Sequence, residues 1–185
     1  MVKTFPGTTI EVLKVEKGSS RHLFDGIFAT GGITLSQVSL MTGLEPYIIQ
    51  NWVKRGYVDS PKKRVYSRGQ FARIVIINML REALKLEDIC SLIKVIEGDN
   101  PDTDDDDIIL DDELYHSYVD MLAEGRIELS DREAATAAAD AAAAKIEERR
   151  HGTRKTLSVI LQIMLSAHAA SMLRTHAENM LGAIK

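Results

Sequence analysis

The sequence predicts a mainly α-helical fold: a winged helix-turn-helix of four helices plus a small β-hairpin wing, followed by a C-terminal all-helical unit. Three observations predict it. Capping boxes at Thr34/Gln37 and Ser67/Gln70 mark two helix starts. Between them lie a glycine turn at Gly43 and a cationic, turn-rich stretch over residues 57–66. Beyond residue 98 the composition shifts to aspartate, then alanine, then an apolar stripe at helical spacing. These signals divide the chain into an N-terminal extension (1–32), a helix-turn-helix domain (33–97), an acidic linker (98–110) and a helical dimerisation or effector unit (111–185).

In chain order, residues 10–15 read as a short strand and 21–29 as a short helix stopping at Gly31-Gly32. Thr34 is a preferred N-cap, Leu35 and Val38 share a face, and Ser39 is small enough for a tight helix crossing. Gly43 permits the sharp turn that follows, and Pro46 suits the first position of a second helix. That helix buries Ile48, Ile49, Trp52 and Val53. Its opposite face carries Tyr47, Gln50, Asn51 and Lys54 at i, i+3, i+4 and i+7. Gly56 ends it. Residues 57–66 read as a hairpin with Asp59-Ser60-Pro61-Lys62-Lys63 as turn material. Ser67 opens a third helix that turns Phe71, Ile74, Val75 and Leu80 inward and leaves Arg68 and Arg73 outside. A fourth, over 87–97, buries Ile89, Leu92, Ile93 and Ile96. Helices then follow over 111–123, 130–150 and 153–184, with Gly152 as the last break.

Charge separates along the chain. Residues 1–98 hold 14 basic and 9 acidic side chains; residues 99–185 hold 9 and 18, which gives the overall −4. Residues 33–81 alone hold 8 against 2, a basic working region joined to an acidic one. The single cysteine, Cys90, leaves no internal disulfide and reads as a small buried hydrophobe. With no signal-peptide pattern at the start and no apolar run near 20 residues, the expected setting is cytoplasmic and away from membranes. No phosphate loop, dinucleotide fingerprint or nucleophile elbow is present, so neither an enzyme nor a cofactor is expected. His168, Met172 and His176 fall at four-residue steps but lack a third ligand, so no metal is expected.

The side chains of the second helix suit base edges in a major groove: amides for adenine, a cation for guanine, a phenol. Tyr47, Gln50, Asn51 and Lys54 are the expected base contacts. Arg55, Lys62, Lys63, Arg64, Tyr66, Arg68 and Arg73 are the expected phosphate contacts, through charge attraction and counterion release. In the last helix, Leu157, Ile160, Leu161, Met164, His168 and Met172 form an apolar stripe. Its alanine-rich neighbour offers little area to cover that stripe, so a homodimer interface is expected there, with folding back on the chain as the alternative.

The order helix, glycine turn, helix, Gly56-Tyr57-Val58, basic hairpin, Arg64-Val65-Tyr66-Ser67 and two more helices resembles the DNA-binding domain of MerR-type regulators. The run from Asn51-Trp52-Val53-Lys54-Arg55-Gly56 to Pro61-Lys62-Lys63-Arg64-Val65-Tyr66 is closer to a MerR-like bacterial group filed as a domain of unknown function. The resemblance implies a second helix in the major groove, a wing on flanking phosphates, dimerising C-terminal helices and a near-palindromic site on double-stranded DNA. Departures are Glu45 in place of a small polar cap, Gln50 where arginine is common, a short wing and no metal-binding cysteines. The expected function is therefore a DNA-binding transcriptional regulator, a dimeric repressor foremost. An architectural or excisionase-like DNA binder and a protein-interaction adaptor are the alternatives. The sequence identifies no small-molecule effector.

Overall fold

A two-stranded hairpin opens the chain: β1 (Lys3–Thr4) pairs antiparallel with β2 (Glu11–Val12). At its bend Gly7 has φ 73°, and a Cβ there would lie 2.3 Å from the Val75 carbonyl oxygen, so the site demands glycine. The helix α1 (Ser19–Ile27) follows and inserts Phe24, fully buried, into the core. In this computed structural model residues 3–97, 107–124, 131–148 and 152–184 are described, Lys3 by its backbone alone. Residues 98–106 and 125–130, where much of the acidic linker and the start of the alanine-rich helix were expected, lie outside them.

The strand β3 (Ile33–Thr34) leads into α2 (Leu35–Thr42), whose N-terminus carries the expected reciprocal cap between Thr34 and Gln37. Gly43 follows at φ 70° and donates to the Ser39 carbonyl. The helix α3 (Pro46–Lys54) begins with its proline as expected. The strand β4 (Val65–Tyr66) precedes α4 (Arg68–Leu80), capped by Ser67 and Gln70, and α5 (Leu86–Ile96) follows.

One expected pairing is not found. β4 pairs with β3, matching Ile33 to Tyr66 and Thr34 to Val65, and not with Tyr57-Val58. Val58 turns into the core instead. What remains of the expected hairpin is a tight turn, in which Lys62 and Val65 form a bridge around Lys63 and Arg64. Both central residues have positive φ, 52° and 65°. That is the signature of a type I′ turn, a geometry that normally selects Asn and Gly.

Helix α4 is the centre of the molecule. Eight of its residues are buried, because α2, α5, α6 (Asp111–Glu124) and α8 (Thr153–Ile184) all pack on it. A helix covered on every side shows no single apolar face, so its sequence pattern looked narrower than its burial. Helix α6 runs across α4 with Leu114, Tyr115, Tyr118 and Val119 fully buried, and α7 (Arg132–Ala144) lies against α6 and α8. One hydrophobic cluster extends from Phe5 to Ala167. Where a linker was expected, Ile108 and Ile109 enter that cluster, and the Ile108 amide bonds the Ile96 carbonyl at 2.8 Å. The packing therefore has no seam between residues 33–97 and the helices that follow.

Helix α8, 32 residues and about 48 Å long, is long and apolar enough to cross a membrane by length and composition, with 44% of its apolar window buried. The sequence expectation of no such segment is corrected on that point. The reason is that α8 carries apolar residues on more than one face.

Candidate nucleic-acid interface

The helix α3 is held by one side only. Ile49 and Trp52 are buried, and Ile48 and Val53 flank them half-buried. Tyr47, Gln50, Asn51 and Lys54 are all exposed on the opposite side, with Tyr47 at 68%. Glu45, at the N-cap, makes no side-chain cap bond and is also exposed. Its charge suits the positive end of the helix dipole.

Cations continue past the helix end. Arg55 is the C-cap residue, and Lys62, Lys63 and Arg64 are exposed on the tight turn. The root of that turn is pinned where Gln70 Nε2 donates to the Asp59 carbonyl at 2.9 Å. Among the described residues, none of Lys54, Arg55, Lys62, Lys63 and Arg64 is in an ion pair with a carboxylate.

Three of the expected phosphate contacts are placed elsewhere. Tyr66 is 3% exposed and packs in the core beside β3. Arg68 donates through Nε to Asp112 Oδ2 (2.8 Å) and through Nη1 to Asp25 Oδ1 (2.6 Å), while Nη2 lies 3.1 Å from His116 Nε2. Its guanidinium also sits 5.6 Å from the centre of the Phe24 ring. Arg73, mostly buried, donates to Asp111 Oδ2 (2.8 Å) and pairs with Glu97 Oε1 (2.6 Å). Burial would lower the Arg73 guanidinium, but the two carboxylates outweigh it and hold its pKa raised. These arginines tie α4 to α6 and are not available to a phosphate chain.

The expected dimer stripe is also occupied from within. Leu157, Ile160, Leu161 and Met164 are buried against the chain itself, and His168 Nδ1 lies 2.8 Å from the Tyr118 hydroxyl. Of that stripe only Met172, 57% exposed, is open. Folding back, the alternative reading, describes these residues. Alanine leaves room for close approach of α7 and α8, and a polar ladder adds to the contact: Ser158 Oγ donates to Asp140 Oδ1 at 2.5 Å, and Gln162 Nε2 to Ser158 Oγ at 3.1 Å.

Sequence reasoning had no signal for a cavity of about 580 Å³ lined by Lys17, Arg21, Glu113, Glu124 and Lys145 among others. Its charged walls are satisfied by one another: Lys17 and Lys145 both pair with Glu124, and Arg21 with Glu113.

A family model described as a domain of unknown function, DUF1836, matches residues 33–118. It begins at β3 and ends inside α6, so it takes in the helix that the arginines of α4 hold. No curated protein and no solved structure matches the chain.

Proposed function

We propose that this chain is a non-enzymatic, double-stranded-DNA-binding transcriptional regulator, a winged helix-turn-helix related to the MerR type. In it α3 reads base edges and the Lys62–Arg64 turn serves as a short wing. The observation that carries the reading is the segregation of charge. Among the described residues, Arg21, Arg68, Arg73, Arg81 and Arg174 are engaged by carboxylates, whereas Lys54, Arg55, Lys62, Lys63 and Arg64 stand exposed beside a helix face of amides and a phenol. Unpaired, clustered cations favour a polyanion, and an amide pair on an exposed helix face favours base edges. Tyr47, Gln50, Asn51 and Lys54 remain the base-reading set. The phosphate set contracts to Arg55, Lys62, Lys63 and Arg64, and two copies acting together suit a near-palindromic site.

Four phosphate contacts per copy predict that log affinity falls with log salt at a slope of about −4 for each copy engaged. Titration of the full chain against promoter and random duplexes at several salt concentrations measures it. Lys63→Ala is expected to weaken binding to all sequences alike and to reduce the slope by about 1. Asn51→Ala is expected to relax preference at one base pair by ~1–3 kcal/mol with little change in slope. No salt-dependent binding to either duplex overturns the reading and favours the adaptor. Many equivalent sites in genomic footprinting favour the architectural alternative.

A further inference from the structure

Helix α8 carries a second apolar stripe, on the side turned away from its buried one. It starts at Val159, Ile163, Ser166 and Ala170, and continues through Leu173, Ala177, Met180 and Ile184. The steps are four and three residues in strict alternation, and all eight positions are exposed. Val159 is 48% exposed, Leu173 66% and Ile184 83%. An alternating 3–4 repeat has a period of 3.5 residues, which keeps one seam facing a partner helix along its whole length. The inward stripe, by contrast, gives out after Ser171, and every residue from 172 to 184 is exposed.

We infer that this seam is where a second copy of the chain docks, with the two α8 helices antiparallel about a two-fold axis between Ser171 and Met172. That centre puts Val159 opposite the other copy's Ile184 and Ile163 opposite Met180. Ser166 meets Ala177, and Ala170 meets Leu173. At the middle Ala170 thus faces the larger Leu173, Ser166 and Ala177 let the helices approach closely on either side, and the large residues close both ends. A parallel pair would set Ala170 against itself at the middle instead of against Leu173, and would bring Arg174 abreast of its own copy. Arg174 and Glu178 are the two Asp, Glu, Lys or Arg residues between 159 and 184, so the seam offers no charge pattern for selecting a different, charged helix. Two helices in contact over about 37 Å bury an area on the scale of the roughly 1,000 Å² that a specific interface needs. The isologous contact closes on itself and leaves no free edge. The proposal supplies the surface for the two-copy arrangement above, but it stands whether or not the chain binds DNA.

Light scattering on the full chain at tens of micromolar is expected to give twice the 20.5 kDa chain mass. Leu173→Glu and Ala177→Glu, both at exposed positions, are each expected to halve the mass while the chain still melts cooperatively by circular dichroism, at a midpoint that no longer depends on concentration. In a Cys90→Ser background, Ile163→Cys mixed with Met180→Cys is expected to give an oxidised cross-linked dimer, and neither variant alone. A monomeric parent, or a dimer that survives both glutamate variants, overturns the proposal. Cross-linking of Ile163→Cys with itself overturns the antiparallel arrangement. Flotation of a monomeric parent with phosphatidylcholine–phosphatidylglycerol vesicles, abolished by Leu173→Glu, overturns it in favour of a lipid surface. Loss of DNA binding with the dimer intact would count against the proposed function alone.

Discussion

Lys63 and Arg64 stand in left-handed backbone, where a residue with a Cβ pays about 1–2 kcal/mol in steric strain. Asn and Gly are the residues such a turn prefers, so a basic pair there retains charge at the expense of stability. The double change Lys63→Asn/Arg64→Gly separates the two. It is expected to stabilise the fold by about 1 kcal/mol, a rise of roughly 2–4 °C in the melting midpoint for a chain of this size. The same change is expected to flatten the DNA salt slope by about 2, one for each cation removed. A melting midpoint that falls or stays put would mean that the turn is not strained. An unchanged slope would remove the turn from the phosphate set. At neighbouring positions, the difference between Lys63 and Arg73 is not in the side chain's chemistry but in what lies within reach of it.

Between elements, the first turn of α6 shows what reach means. Asp111, Asp112 and Glu113 are consecutive, and each holds a different arginine: Arg73, Arg68 and Arg21. The positive end of α6 favours the same carboxylates. Two groups in this contact titrate in opposite senses. His116 is buried, its Nδ1 3.0 Å from Ser20 Oγ; burial and the nearby Arg21 and Arg68 lower its pKa to about 4. Unfolded, it titrates near 6.5, so the neutral ring's contribution is full above that pH and is lost as pH falls towards 4. Asp111 is raised to about 6 by burial, against the pull of Arg73, and its Oδ1 has no hydrogen-bond partner. Its cost is present above pH 6 and relieved as pH falls to its ordinary 3.8. Each shift corresponds to about 3 kcal/mol, so the two oppose each other between pH 4 and 6. Asp111→Asn removes one of them. Denaturant unfolding of that variant is expected to lose stability below pH 6 by up to about 1.4 kcal/mol per pH unit relative to the parent. Parallel pH profiles for the two proteins would contradict the assignment. The capping boxes, the glycine turn and the faces of α3 and α5 were legible in the sequence because their causes lie within four residues. The partners of Arg68 and Arg73 lie far outside one helical turn, Asp112 44 residues and Asp111 38 residues away, and left no local signal, so those arginines looked like Lys63. The two stripes of α8 were equally open to reading, but only burial tells which one the chain covers itself.

At the scale of the whole molecule, residues 33–97 have the local signals of a self-contained domain without its core. Phe24 from α1 packs against Phe71 at 5.3 Å between ring centres and against Tyr115 at 5.5 Å. The Tyr115 hydroxyl reaches back to the Pro6 carbonyl at 2.9 Å, and Asn78 bonds the carbonyls of Gly7 and Thr42 together. The extension and α6 therefore meet over α4 and close it from two sides. Removing both would expose Phe71, Ile74 and Val75, each fully buried. At about 1.5–3 kcal/mol per large apolar side chain, the exposure of even a few such residues approaches the 5–15 kcal/mol that holds a typical domain. A fragment of residues 33–97 is thus expected to show little amide dispersion by NMR and no cooperative melt. The full chain is expected to melt in one transition. A well-dispersed, cooperatively folding 33–97 fragment would mean that α1 and α6 are accessories to a separate domain. Two transitions in the parent would point to the same division. If the single transition holds, the exposed face of α3 is supported by packing that reaches from Phe5 to Ala167, and a destabilising change in α6 or α8 is expected to weaken the DNA binding proposed for that face without touching the duplex.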